Sequence, residues 1–80
     1  MKVYLKPLYG DTYSNTERAK IQLIKALGFR GTIINIKADS KHIMAEVKIS
    51  TRWELPPKER VKYLQKWLPK SVRSFRVSFK

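Results

Sequence analysis

Two hydrophobic periods alternate along the chain, and the order in which they follow one another restricts the fold. Two segments, 15–27 and 57–69, carry apolar residues at helical spacing and are predicted to be α-helices. Four segments alternate apolar and polar residues and are predicted to be β-strands: 2–8, 31–38, 42–50 and 72–80. The order strand, helix, strand, strand, helix, strand predicts an α+β fold, in which two helices cover one face of a four-stranded antiparallel sheet.

The predicted arrangement is the ferredoxin-like βαββαβ fold. Its spatial strand order is expected to be fourth, first, third, second, with the second and third strands joined as a hairpin. Eighty residues are enough for one hydrophobic core, so residues 1–80 are predicted to form a single domain. One sheet face then packs on the helices, and the other is left open.

Short local signals predict where the helices begin and end. Ser14 and Glu17 have the spacing of a capping box at the start of the first helix, and Gly28 is a typical C-terminal stop. Pro57 suits the first turn of the second helix, and Pro69 predicts its end. The residues expected to pack inward from the helices or their margins are Leu23, Ile24, Leu27, Trp53, Val61, Leu64, Trp67 and Leu68.

The charge of the chain indicates a polyanionic partner. Eighteen lysines and arginines against six acidic residues give a formal net charge of +12 and a pI near 10.3. Small soluble domains usually carry a net charge of magnitude about 2–8. A heat-adapted surface would carry glutamate in numbers similar to lysine, and in this chain glutamate is scarce. Nucleic acid is therefore the predicted partner, and an acidic protein is the alternative.

Several classes of protein are not expected. The chain has no cysteine for a disulfide or a thiolate metal site, and it has no long apolar run for a membrane. We expect no signal peptide, a cytoplasmic location and no membrane partner. His42 is the one histidine and no glycine-rich phosphate loop is present, so no enzyme, cofactor or metal is expected. The enzymatic alternative is a His42-dependent RNase.

The open sheet face is expected to hold a tyrosine among cations. If the apolar strand residues face the helices, the alternate residues lie on the open side. Basic side chains for phosphates and a flat ring for bases are what single-stranded nucleic acid needs. The residues expected there are Lys2, Tyr4, Lys6, Ile33, Asn35, Lys37, His42, Met44, Glu46, Lys48, Ser74, Arg76, Ser78 and Lys80.

The first strand, "VYLKPL", resembles the first-strand signature of the RNA recognition motif family. That signature reads apolar, aromatic, apolar, any residue, Asn, Leu, and Pro7 stands here in place of the Asn. The resemblance implies a base-stacking role for Tyr4, and in topology and length it covers the whole chain. In the third strand, "HIMAEVKI", Met44 and Glu46 stand where the family has two aromatic residues. A methionine can still pack on a base.

The second helix offers a competing surface, because several cations recur on its neighbouring turns and could follow a duplex. These cations are Lys58, Arg60, Lys62, Lys66 and Lys70.

The prediction is a small basic protein that binds single-stranded RNA or DNA in preference to duplex, with affinity dominated by phosphate contacts. The alternative is a protein-interaction module for an acidic partner, such as a viral or mobile-element inhibitor or a ribonucleoprotein subunit. The predicted nucleic-acid-binding residues are Lys2, Tyr4, Lys6, Lys37, Met44, Lys48, Arg76 and Lys80 on the sheet, and Lys62 and Lys66 on the helix.

Overall fold

The strands and helices follow the predicted order and form a ferredoxin-like α+β fold. The computed structural model describes residues 1–79. A short 3-10 turn, Gly28–Arg30, joins the first helix to the second strand. The strands form one antiparallel sheet in the order β2-β3-β1-β4, which confirms the predicted strand order. The elements are β1 (Lys2–Pro7), α1 (Thr16–Leu27), β2 (Gly31–Ala38), β3 (Ile43–Ile49), α2 (Pro57–Ser71) and β4 (Phe75–Phe79).

The core lies between the helices and one face of the sheet. Alternate residues of β1 and β3 are buried and the residues between them are not, as the period of two predicts. Each fully buried leucine contributes about 1.5–3 kcal/mol relative to an exposed one. The buried apolar residues are Val3, Leu5, Ala19, Leu23, Ala26, Leu27, Ile43, Ala45, Val47, Trp53, Leu64, Leu68, Val72 and Phe75.

A β-bulge in β2 changes which of its residues face the helices. Ile33 pairs with Val47 and Asn35 pairs with Glu46, so Ile34 is an extra residue without a partner. Paired residues share a sheet face. Ile33 therefore lies with Val47 on the helix-covered face, where it packs against the core. The prediction that Ile33 lies on the open face is wrong, because simple alternation was continued through the bulge.

The first helix begins without the predicted capping box. Asn15 is the N-cap residue of α1, and no side chain caps the helix. The hydroxyl and the backbone N–H of Ser14 instead donate to Oδ1 of Asp11, at 3.0 and 2.7 Å. The Ser14 N–H and then its hydroxyl hold the pKa of Asp11 below its ordinary value. Ser14 therefore belongs to a turn before the helix, and its pairing with Glu17 does not form.

The inner face of α1 is narrower than the sequence predicts. Leu23 and Leu27 are buried, but half of the Ile24 side chain is exposed. Ile24 lies roughly 100° around the helix from Leu23, at the margin of the buried stripe. Ala19 and Ala26 complete that stripe instead, so the prediction for Ile24 is wrong.

The second helix continues past the proline that was predicted to end it. Pro69 lies inside α2, which ends at Ser71, and the N–H of Val72 donates to the carbonyl oxygen of Leu68 at 2.9 Å. Both Leu68 and Val72 are buried, and their packing keeps the last turn helical despite the proline. Val61 is half-buried rather than part of the core. Neither helix in the described part of the chain has the length and apolar content needed to cross a membrane.

Candidate nucleic-acid interface

The strand register places one row of open-face residues across all four strands. Tyr4 lies opposite Met44 of β3 on one side and Ser78 of β4 on the other. Met44 in turn lies opposite Lys37 of β2. Side chains opposite each other on neighbouring strands are in reach of one another, with Cβ atoms about 4.5–5.5 Å apart. Lys37, Met44, Tyr4 and Ser78 therefore form a continuous row, the central row, with the tyrosine in its middle.

Cations lie on both sides of the central row. Lys6 pairs with Arg76 in the row toward the end of β1, and both side chains are exposed. Like charges directly opposite each other destabilise a sheet, and a bound anion would remove that repulsion. On the other side, Lys2 pairs with Glu46, which in turn pairs with Asn35. Glu46 is the one acidic residue within the four described strands.

A depression of about 240 Å³ lies at Tyr4. It is lined by Tyr4, His42, Ser78 and Phe79. The Tyr4 side chain is half-buried. Its ring meets the His42 ring in a T-shaped arrangement, with centroids 6.0 Å apart and planes at 81°. His42 thus supports the Tyr4 ring, and the two rings are not stacked in parallel.

A tight turn fixes the position of His42. Oδ1 of Asp39 accepts hydrogen bonds from the backbone N–H groups of Lys41 and His42, both at 2.7 Å. The His42 N–H first, and then the Lys41 N–H, hold the pKa of Asp39 below its ordinary value. The hydroxyl of Thr12, the buried polar side chain of the β1–α1 loop, donates to the carbonyl oxygen of Asp39. This turn links the hairpin to the loop after β1, beside the depression.

The remaining predicted sheet residues lie farther out. Lys48 is exposed and pairs with Thr32, two rows from Tyr4 along β3. Thr32 therefore takes the open-face position that Ile33 was expected to occupy. Ser74 precedes β4 and has a positive φ of 68°, so its prediction as a strand residue of the open face is wrong. The prediction for Lys80 lies outside the described residues.

The surface of α2 also combines lysines with aromatic rings. The Tyr63 and Trp67 rings are stacked, with centroids 6.1 Å apart and planes at 27°. Together with Lys66 and Lys70 they line a depression of about 190 Å³. The combination of charge and an aromatic ring, which the sequence suggested only for the sheet, thus occurs on both surfaces.

The row of cations predicted along α2 is interrupted. Nη2 of Arg60 donates to the carbonyl oxygen of Trp53 at 2.7 Å, so Arg60 fastens the preceding loop and does not join a solvated strip. Its inclusion in that strip is wrong. Lys62 has Glu59 one turn before it, with Nζ and Oε1 4.0 Å apart, which partly offsets its charge. Lys58 is exposed at the first turn.

An arginine outside α2 covers the aromatic rings of that surface. The Arg30 guanidinium lies over the rings of Phe29, Tyr63 and Trp67, at 4.9, 5.3 and 5.3 Å from their centroids. We call these four residues the Arg30 cluster. Trp53 meets Tyr63 edge-on at 5.1 Å, so this ring is held from a second side. The spacing of Tyr63 and Trp67, one turn apart, is a sequence signal for part of the cluster, but Arg30 is brought there only by the tertiary fold.

The chain therefore has two candidate surfaces, the open sheet face around Tyr4 and the α2 surface around Tyr63 and Trp67. In residues 1–79, no three histidine, aspartate or glutamate side chains lie close enough together to share a metal ion. Compared with known proteins, the chain matches no family model, no curated protein and no solved structure.

Proposed function

We propose that the protein binds single-stranded nucleic acid, RNA or DNA, on its open sheet face, in the manner of an RNA recognition motif. Tyr4 stacks on a base, and the surrounding cations contact the phosphates on either side of it. The observation that carries this proposal is the central row, which puts one supported aromatic ring in the middle of a basic surface. The residues proposed to contact phosphates are Lys2, Lys6, Lys37 and Arg76.

The dimensions of the sheet suit a short single strand. Four strands spaced about 4.8 Å apart make a surface roughly 14 Å across, which is room for two or three bases. One of these bases stacks on Tyr4, and a neighbouring base packs on the thioether of Met44. A duplex hides its bases, so it gains the phosphate contacts but not the stacking. Single strands are therefore preferred.

The pair formed by Lys6 and Arg76 supports an anionic ligand on the sheet. Both residues are exposed and directly opposite each other, and neither forms a salt bridge with an acidic side chain of residues 1–79. The sheet tolerates this repulsion in the free protein. A phosphate between the two side chains would convert it into attraction.

The test is the single-strand affinity of Tyr4→Ala, measured by fluorescence anisotropy with a labelled oligonucleotide at low salt. Loss of one stacking ring costs about 1–3 kcal/mol. The matched control is Tyr9→Ala, because Tyr9 is 84% exposed in the loop after β1 and lies off the sheet face. Equal affinities of the two variants would contradict the proposal.

Purification from the native host separates the proposal from an acidic protein partner. The proposal expects nucleic acid in the eluate, seen as a high 260/280 absorbance ratio that nuclease treatment removes. A stoichiometric acidic protein, with no nucleic acid, would favour the interaction-module alternative.

A further inference from the structure

A groove between α1 and α2 has the features of a second binding site, on the helical side of the molecule. Its volume is about 340 Å³, within the usual range for small-ligand pockets. Nε1 of Trp67 donates to the carbonyl oxygen of Ala26 at 2.9 Å, which fixes the indole ring against the end of α1. The groove is lined by Gln22, Lys25, Ala26, Trp67, Ser71 and Arg73.

Gln22 lines one wall of the groove, and beneath the surface its side chain carries a hydrogen-bond acceptor without a partner. Oε1 of Gln22 is buried, and no donor within residues 1–79 bonds to it. An unpartnered buried acceptor destabilises the folded state, and native proteins contain few of them. The terminal torsion of a glutamine is soft, so the amide can turn toward a ligand that supplies an N–H group.

The rest of the lining favours a planar, anionic ligand. Lys25 and Arg73 are exposed at the groove, and no acidic side chain lines it. Arginine binds phosphate through two parallel N–H bonds, and lysine adds a point charge. Trp67 keeps 38% of its surface exposed, so part of the indole is available to a flat group. Base–aromatic stacking on such a ring tolerates any base.

We propose that this groove binds a nucleoside 5′-phosphate, either as a free nucleotide or as the phosphorylated end of a strand. The base packs on Trp67 and donates an N–H group to Oε1 of Gln22, and the phosphate binds Lys25 and Arg73. The site goes beyond the proposed function, because it lies on the helical side and uses none of the residues around Tyr4. The two sites can therefore succeed or fail separately.

The first experiment is a titration of the protein with AMP, followed by two-dimensional NMR and by Trp fluorescence. We expect shifts at groove residues and quenching of the indole. The matched ligand is purine riboside 5′-phosphate, which lacks the amine of AMP and should bind roughly threefold to tenfold more weakly. Adenosine and ribose 5-phosphate, which each lack one half of the ligand, should bind more weakly still. Shifts scattered over the basic surface, or confined to the sheet, would overturn the proposal.

Two variants separate binding from folding. Gln22→Met removes the unpartnered acceptor, so it should raise the melting temperature while it weakens AMP binding. A structural role for Gln22 would instead lower the melting temperature. Arg73→Gln should weaken AMP binding, whereas Arg52→Gln removes the same charge outside the groove and should not. Equal AMP affinities of these two arginine variants would also overturn the proposal.

The source of the phosphate is decided by comparing oligonucleotides with a 5′-phosphate and a 5′-hydroxyl group. Tighter binding of the phosphorylated strand to the wild type, abolished in Arg73→Gln, assigns a strand end. AMP binding without that difference assigns a free nucleotide. Tyr9→Ala, a change at an exposed loop residue outside the groove, should leave AMP affinity unchanged, whichever source applies. If oligoglutamate shifts the groove residues and AMP does not, the groove is a peptide site and the proposal is wrong.

Discussion

The open sheet face and the α2 surface carry similar residues, but their aromatic rings make different contacts within the protein. On the sheet, Tyr4 is supported at an angle by His42. On α2, Tyr63 and Trp67 stack on each other and lie under the guanidinium of Arg30. A ring face covered by a cation of its own chain is not free for a base, so of the Trp67 indole only the part that lines the groove beside α1 stays available. The presence of charge and aromatics together therefore does not define a nucleic-acid surface, and the contacts already made by the rings must be considered.

The two surfaces also differ in how far acidic neighbours offset the charge of their cations. Lys6 and Arg76 lie opposite each other, and neither forms a salt bridge with an acidic side chain of residues 1–79. On α2, Lys62 has Glu59 one turn away. The sheet thus retains an uncompensated charge, and part of the charge on α2 is offset within the helix. Both differences favour the sheet as the site for a single strand.

The largest effect is expected from reversing the charge of the pair on the sheet. The variant Lys6→Glu with Arg76→Glu should bind a single-stranded oligonucleotide roughly a hundredfold more weakly, because two attractive interactions with phosphates become repulsive. The salt dependence of binding should also become shallower, by about 0.7 in the logarithmic slope for each phosphate that the variant no longer neutralises. Anisotropy titrations at several salt concentrations measure both quantities.

The matched control reverses the same number of charges on the other surface, through Lys66→Glu with Lys70→Glu. It has the same net charge as the sheet variant, so non-specific attraction is lowered equally. We expect it to bind the single strand more tightly than the sheet variant does. If the α2 variant binds the strand more weakly, the order of the two surfaces is reversed.

The next largest effect is expected from Arg30→Met, which removes the cation of the Arg30 cluster. Each cation–π contact near a surface contributes about 0.5–1 kcal/mol, and the three contacts share one guanidinium. We expect a decrease of about 1–2 kcal/mol in the free energy of unfolding, seen in chemical denaturation. Single-strand affinity should equal that of Arg18→Met, which removes the same charge from an exposed position on α1. A gain in affinity after Arg30→Met would show that freed α2 rings can bind bases.

The fold was predictable to the extent that it depends on hydrophobic period. Val3 and Leu5, or Ala45 and Val47, alternate with polar residues and are buried as predicted. Once the six elements are known, few connections remain possible, and the strand order follows. The central row was predictable for the same reason. Tyr4 and Met44 alternate in sequence with these buried residues and therefore lie on the opposite face.

The features that were missed depend on competition between neighbours or on tertiary contacts. Ser14 could cap the helix, but Asp11 binds it in an earlier turn. Pro69 ends helices in isolation, but Leu68 and Val72 are buried and keep the turn in place. The Arg30 cluster joins the turn after α1 to the middle of α2, and no local pattern links them.

The bulge in β2 did leave a signal in the sequence. Ile33 is three positions from Ile36 and five from Ala38, whereas residues on one face of a regular strand are an even number of positions apart. All three can therefore pack inward only if one residue between Ile33 and Ile36 is extra. That residue is Ile34, which is 58% exposed. A break in the alternation of apolar residues within a strand thus indicates a bulge. The bulge reverses the sheet face predicted for every residue on one side of it.

The smallest effect is expected from deleting Ile34, and it tests the face assignment of the whole sheet edge. Without Ile34 the strand becomes regular, Ile33 stays opposite Val47 and Asn35 stays opposite Glu46. We expect a change of less than about 1 kcal/mol in unfolding free energy and an unaltered single-strand affinity, because the deleted residue is exposed and unpaired.

Deleting Ile36 is the matched control. It brings Lys37 opposite Ala45, on the helix-covered face, and should cost several times more because a charge is then buried. Thermal unfolding followed by circular dichroism compares the two deletions. If both deletions lower the unfolding temperature by the same large amount, Ile34 is needed for the strand and the bulge does not set the face that Lys37 occupies.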